Sequence, residues 1–144
     1  MPFCVFLHLI IYIIMAEKKA TVTFDAIMRD LKSGKYAPVY ILMGDESYYI
    51  DRITDYIAEN VLEPDDRDFN QTVVFGADTT AAQVVDMAKG YPVMPAAHRV
   101  VIVKEAQGLK SLDALERYFE KPLASTLLVI AYKNGTIDRR KKVV

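Results

Sequence analysis

The residues best placed to do chemistry stand where an apolar segment ends. Val39–Met43 is followed directly by Gly44, Asp45, Glu46 and Ser47. A strand, a glycine turn and a helix start in this order are where a nucleotide-binding fold holds its phosphate loop. A working loop also needs a second glycine, a lysine for the phosphates and a hydroxyl for magnesium, and two carboxylates at this place repel a triphosphate. The sequence therefore predicts a degenerate phosphate loop.

Other candidates for catalysis or metal binding are weak. Glu105 follows a predicted buried strand but stands one residue late for the acid that holds magnesium in an NTPase. His98 has no partner of a catalytic pattern nearby in sequence, and the carboxylates of Asp65, Asp66 and Asp68 lack the glycine and distal glutamate of a calcium loop, which favours a solvated loop. The single cysteine and the absence of metal-site spacing add no metal centre. We expect no catalytic residue, cofactor or metal in this domain; a divergent nucleotide-binding domain is the alternative.

The segment Tyr91-Pro92-Val93-Met94 is unusual because it is apolar yet stands between residues that break helices. Gly90 precedes it and a proline follows it. Loops normally run over the surface and are polar, so an apolar loop either folds back onto the core or is exposed for a partner. A methionine suits the second role because its flexible thioether adapts to a pocket. From the residues alone both interpretations stay open.

Alternating strands and helices position these segments. Apolar residues at helical spacing, capping residues and continuous apolar runs predict the elements. In chain order they are a helix from Thr23 to Gly34, a strand at Val39–Met43, a helix at Ser47–Leu62, a strand at Asn70–Phe75, a helix from Thr80 to Gly90, a strand at Val100–Val103, a helix at Leu112–Phe119 and a strand at Thr126–Tyr132. This alternation predicts an α/β domain of three layers with a largely parallel sheet.

Both ends of the chain differ in composition from the rest. Residues 1–14 are almost wholly apolar and uncharged, and Met15-Ala16-Glu17 looks like an ordinary cytosolic start. We interpret 1–14 as an upstream start artefact with Met15 as the initiator, and a membrane anchor is the rival hypothesis. The other end carries Arg139, Arg140, Lys141 and Lys142, which we interpret as the beginning of a further helix in a longer protein.

Size and charge limit the function further. The chain has 144 residues and a net charge of −1, which suits one domain at 15–144 and argues against a dedicated nucleic-acid binder. The basic run Arg139–Lys142 remains a possible DNA contact, whose affinity would fall steeply with salt.

Three blocks, in this order, resemble the N-terminal domain of the bacterial DNA polymerase III delta subunit. The resemblance covers roughly residues 21–144. The blocks are Tyr36-Ala37-Pro38-Val39-Tyr40-Ile41-Leu42-Met43-Gly44-Asp45-Glu46-Ser47-Tyr48-Tyr49-Ile50, then Pro92-Val93-Met94-Pro95-Ala96-Ala97-His98-Arg99-Val100-Val101-Ile102-Val103-Lys104-Glu105-Ala106, and the strand Thr126–Tyr132 with its basic sequel.

The resemblance implies a RecA-like, AAA+-type domain that has lost its ATP site. It also implies a clamp-loader subunit that acts in the cytoplasm during DNA replication, binding the sliding clamp (the beta subunit) and helping to open it. Expected partners are the gamma/tau and delta prime subunits, with DNA reached only indirectly and no membrane. The family's clamp-binding pair falls on Val93 and Met94, with Tyr91 and Pro92 as neighbouring contacts. The family usually has an aromatic residue, most often phenylalanine, where this chain has Met94, and Arg99 appears one residue later than in the family pattern.

Overall fold

A computed structural model of the protein describes residues 9–15, 18–22, 24–44 and 47–133. Six strands and five α-helices make up this part of the chain. The strands are β1 (Leu9–Met15), β2 (Lys18–Val22), β3 (Val39–Gly44), β4 (Gln71–Phe75), β5 (Arg99–Lys104) and β6 (Thr126–Lys133). The helices are α1 (Phe24–Lys32), α2 (Ser47–Asn60), α3 (Pro64–Asn70), α4 (Ala81–Ala88) and α5 (Asp113–Glu120).

The six strands form one sheet in the order β2-β1-β3-β6-β5-β4. The four strands from β3 to β4 in this order are parallel, and Leu128 of β6 pairs with Val39 of β3 on one side and Val101 of β5 on the other. At the opposite end, β1 runs antiparallel to both β3 and β2. The predicted α/β class with a largely parallel sheet is therefore confirmed.

Helices cover both faces of the parallel strands, which gives the three predicted layers. In β3, Val39, Ile41 and Met43 pack with α4 and α5, while Tyr40 and Leu42 pack with α1 and α2. All five are buried. A strand covered on both faces has no solvent side, so its apolar residues run continuously instead of alternating with polar ones.

The predicted helix ends agree closely with the structure where local signals set them. Helix α1 is followed by Gly34, whose φ of 81° is the left-handed conformation that glycine adopts without a steric penalty. At the start of α4, the Thr80 hydroxyl accepts from the Gln83 N–H at 3.2 Å, and the Gln83 side chain accepts from the Thr80 N–H at 3.0 Å. This is the predicted capping box.

One helix was missing from the prediction. The carboxylates of Asp65, Asp66 and Asp68 lie in α3 and not in a loop, and Asn70 is the last residue of this helix and not the first of β4. Pro64 occupies the first helical position, where its missing N–H has no intrahelical partner to lose. Acidic residues in the first turn also favour a helix start because they complement its dipole.

Residues 9–14 of the apolar leader take part in the sheet. Strand β1 comprises Leu9–Met15 and pairs with β3 from Leu9 opposite Gly44 to Ile14 opposite Val39; residues 1–8 lie outside the described part of the chain. No strand was predicted for this segment. Among the described residues, no helix combines the length and the apolar character needed to cross a membrane. That Met15 is the initiator remains a prediction, which N-terminal sequencing of the natural protein tests.

Two buried phenols are expected to make the fold less stable at alkaline pH. Burial raises the pKa of Tyr40 and of Tyr132 to about 12, whereas a phenol in an unfolded chain titrates near 10. Between these values the unfolded chain releases protons that the folded chain keeps, so stability is complete below about pH 10 and falls as the pH rises towards 12. Each phenol contributes a slope of about 1.4 kcal/mol per pH unit in this window.

Urea unfolding at pH 8, 10 and 11 checks the prediction. The free energy of unfolding should be steady up to pH 10 and fall above it. Tyr132→Phe should make the fall shallower because one phenol with a raised pKa is gone. An equal slope in the variant would show that Tyr132 does not take part.

Candidate protein-interaction site

The apolar tip, defined as Tyr91, Pro92, Val93 and Met94, lies between α4 and β5. Its side chains point largely into solvent: Tyr91 is 74% exposed, Val93 50% and Met94 86%, and Pro92 is partly buried. Large apolar side chains are rarely this exposed in a row unless they have a partner. The structure therefore contradicts the interpretation in which this segment folds back onto the core.

The centre of the apolar tip is attached to α3 by one side chain. Asn70 is only 2% exposed, and its Oδ1 accepts from the Val93 N–H at 2.6 Å. Its Nδ2 donates to the Val93 carbonyl at 3.1 Å and to the Asp66 carbonyl at 3.2 Å. One carboxamide thus bonds both the N–H and the carbonyl of Val93, while the side chain of Val93 is half exposed.

Two further side chains fix the segment where it leaves α4. Arg99 Nε donates to the Met87 carbonyl at 3.0 Å, and the Thr126 hydroxyl donates to the Ala88 carbonyl at 2.7 Å. Both carbonyls lie at the carboxyl end of the helix, where orphan acceptors need donors and a cation is electrostatically favoured. Gly90 leaves room for the arginine, since a Cβ there would lie 3.1 Å from Arg99 Cζ.

The apolar tip itself is a tight turn. The Ala96 N–H donates to the Val93 carbonyl at 3.2 Å, and the peptide bond between Met94 and Pro95 is cis. The turn places Met94 and Pro95 at its outer end, and both are exposed. The segment therefore presents a compact apolar projection with a defined main-chain path.

The predicted degenerate phosphate loop has the expected backbone on either side. Gly44 ends β3 and Ser47 begins α2, whereas Asp45 and Glu46 lie outside the described residues. This place is at the carboxyl end of β3, but the apolar tip precedes the amino end of β5. Because β3, β6 and β5 are parallel, the two places lie at opposite ends of the strands. A surface at the tip is therefore distinct from a nucleotide site.

The remaining candidates add no site in the described part of the chain. Glu105 adopts a left-handed conformation in the turn after β5, and its carboxylate accepts from the Gln107 side chain at 2.5 Å. Residues 47–133 and the other described ranges contain no group of three potential metal ligands close enough to share an ion. Arg139, Arg140, Lys141 and Lys142 lie beyond the described residues, so the possible DNA contact stays a prediction.

Asn70 is the residue that sequence reasoning missed. It stands at the boundary between α3 and β4 and was assigned to the strand. No local pattern indicates its role, because its partner Val93 is 23 positions away. The recognisable signal was Pro64 followed by two acids, which marks the helix that ends on it.

Comparisons with known proteins agree with one another. The family described as DNA polymerase III, delta subunit, matches residues 40–144. The DNA polymerase III subunit delta of Bacillus subtilis (strain 168) is 30% identical over 130 residues, and the match covers 83% of this chain and 37% of that protein. The solved structure of the Bacillus subtilis DNA clamp loader delta protein (YqeN) is similar with a TM-score of 0.74 at 28% identity, covering 83% of this chain and 38% of the other.

This chain spans only about 37% of the length of the curated relative. The family match extends over most of the present sequence, from β3 onward. The chain belongs to the DNA polymerase III delta subunit family.

Proposed function

We propose that this domain binds the sliding clamp through its apolar tip and helps to open the clamp during DNA replication. The observation that carries the proposal is the exposure of Val93 and Met94 on a segment whose main chain is anchored to the domain. Family membership supports it, because the resemblance puts the clamp-binding pair at these two positions. Tyr91 and Pro92 would contact the rim of the same pocket.

The mechanism is physical and involves no covalent step. Two apolar side chains that enter a preformed pocket leave water, and each fully buried one contributes about 1.5–3 kcal/mol. Such a pair acts as an interface hot spot. Ring opening then follows if the domain binds the open clamp more tightly than the closed one, since a ligand shifts an equilibrium only by its differential affinity for the two states.

The wider assembly is proposed on the same basis. In a clamp loader, ATP would be bound by the gamma/tau subunits, with delta prime as a further partner and DNA reached through the complex. The degenerate loop after Gly44, with Asp45 and Glu46 in place of a lysine, supports a subunit without its own nucleotide. Its position at the end of a parallel strand supports an AAA+-like domain. A replication complex of this kind works in the bacterial cytoplasm, where we place the protein.

A direct titration tests the proposal. The chain, immobilised or in a calorimeter, should bind the purified sliding clamp of the same organism with a measurable dissociation constant. No binding to the clamp at concentrations of about 100 μM, which corresponds to a very weak interface, would overturn it.

ATP separates the proposal from the divergent nucleotide-binding alternative. We expect no heat of binding on titration with ATP and magnesium, because the loop after β3 offers Asp45 and Glu46 where phosphate needs a lysine and a second glycine. Micromolar binding of ATP would instead favour the alternative. A buffer titration and a known P-loop protein are the controls.

A further inference from the structure

We propose that Asn70 is the positioning residue of the apolar tip: its carboxamide fixes the main chain of Val93 and so sets the direction in which Val93 and Met94 point. The inference rests on the proposed function for its effect on clamp binding. Its structural part, that Asn70 holds the tip, can be tested without the clamp.

Three of the four hydrogen-bonding positions of the Asn70 carboxamide are used by its surroundings. Its oxygen accepts one N–H, from Val93, and its NH₂ group donates to two carbonyls, those of Val93 and Asp66. The orientation of the amide is fixed by these partners, because a flipped group would place its NH₂ against an N–H and its oxygen against two carbonyls. Asn70 itself is buried at 2% exposure, whereas Val93 is half exposed, so the bonds between them are partly shielded from water.

The main chain of the tip has little other attachment. Among the described residues, the stretch from Tyr91 to His98 makes one main-chain hydrogen bond, the turn between Ala96 and Val93. That bond closes the turn but does not tie it to the rest of the domain. Arg99 and Thr126 hold the end of α4, and Asn70 supplies the hydrogen bonds at the centre.

Holding the tip raises affinity by removing an ordering cost. A loop that samples many conformations must lose that freedom on binding, whereas a preorganised one has lost it on folding. Asn70 never has to touch the clamp for this effect. Its removal should therefore weaken binding while leaving Val93 and Met94 chemically intact.

Asn70→Ala and Asn70→Asp separate the contacts. Alanine removes all three hydrogen bonds. Aspartate keeps an acceptor for the Val93 N–H but puts a carboxylate oxygen beside the carbonyls of Val93 and Asp66. Asn60→Ala is the matched control, because Asn60 also donates from its side chain to a carbonyl four residues earlier, that of Tyr56. Asn60 lies at the end of α2 and makes no hydrogen bond with the tip.

The experiment measures site-resolved amide exchange of the free chain by NMR, the dissociation constant for the sliding clamp, and the melting temperature. For Asn70→Ala we expect exchange at Val93 and Ala96 to accelerate and the dissociation constant to rise, each by about tenfold, the scale of one or two lost hydrogen bonds and of an ordering cost. For Asn70→Asp we expect weaker binding with the Val93 amide still partly protected. Asn60→Ala should change neither quantity.

Each outcome decides a different part of the proposal. Unchanged exchange at Val93 and Ala96 in Asn70→Ala would overturn the claim that Asn70 holds the tip. Faster exchange with an unchanged dissociation constant would overturn the claim that holding the tip matters for binding. If the wild type does not bind the clamp, the proposed function fails, and exchange alone decides whether Asn70 holds the tip. If Asn70→Ala does not fold at the assay temperature, Asn70→Asp, which keeps the volume, carries both comparisons.

Discussion

Replacing Val93 and Met94 together by alanine is expected to weaken binding to the sliding clamp by about a hundredfold or more. The double substitution removes five side-chain heavy atoms. Each atom with its hydrogens is about the size of one CH₂ group, which contributes about 0.8 kcal/mol when it is buried. Because every 1.4 kcal/mol is a factor of ten in affinity, full burial of the pair would give a larger loss than this. The lower figure allows for partial burial in the pocket.

The fold should be unaffected, since both side chains are exposed. The melting temperature of the double variant should stay within about 2 °C of the wild type, as expected for surface substitutions. Val73→Ala/Phe75→Ala is the matched control, because it truncates two apolar side chains on β4 that are also about half exposed. A double variant at the tip that binds the clamp as well as the wild type would show that the site is elsewhere.

Single substitutions then define the register of the pair. If Val93 and Met94 are the inserted residues, alanine at either position should weaken clamp binding more than Tyr91→Ala does. Met94→Phe should bind at least as well as the wild type, because the resemblance implies an aromatic residue at this place. A larger loss from Tyr91→Ala than from Met94→Ala would shift the pair towards the start of the tip. The same clamp titration measures Val93→Ala, Met94→Ala, Tyr91→Ala and Met94→Phe.

Ile102→Ala is expected to lower the free energy of unfolding by about 2–5 kcal/mol, the range for emptying a well-packed core position. Ile102 lies in the middle of β5, is 0% exposed and packs among residues of α1 and α2. For a chain of this size the loss corresponds to a fall of roughly 2–4 °C in melting temperature per kcal/mol. Urea unfolding followed by circular dichroism gives the number directly.

Val73→Ala is the natural comparison for Ile102→Ala. Val73 is paired with Ile102 across β4 and β5, so the two side chains lie on the same face of the sheet, but Val73 is 44% exposed. We expect a loss below about 1 kcal/mol, since half of this side chain is already in water. Equal losses at the two positions would contradict the observation that the helical layer covers Ile102 on β5 but leaves Val73 on β4 half exposed.

The sequence predicted those parts of the fold that depend on neighbours along the chain. Helix α1 followed from Phe24, Ile27 and Leu31 on one stripe, and α4 from the reciprocal bonds of Thr80 and Gln83, because both signals act within one or two turns. The buried parallel strands followed from apolar runs too continuous to have a solvent face. These signals are local, and the structure has them where they were expected.

Features set by distant contacts were not predicted. Helix α3 has only seven residues, too few for an apolar stripe to repeat, so only Pro64 and the acids after it indicated a helix. The role of Asn70 depends on a loop that comes after the whole of α4, and the strand order depends on pairings between segments far apart in sequence. The candidate pair Val93 and Met94 came from a resemblance, and its exposure could be known only from the packed structure.

The hydrogen bonds around Val93 have a consequence for transfer out of water. An apolar pocket has no hydrogen-bond donor or acceptor for a peptide group. A buried amide without a partner costs about 2–7 kcal/mol depending on the reference state. The N–H of Val93 already donates to Asn70, and its carbonyl already accepts both from Asn70 and from Ala96. Both polar groups of this residue therefore bring their partners with them, so dehydrating Val93 on docking leaves no bond to water unreplaced. Val93 therefore presents two main-chain polar groups that need no hydrogen-bond partner from a docking surface.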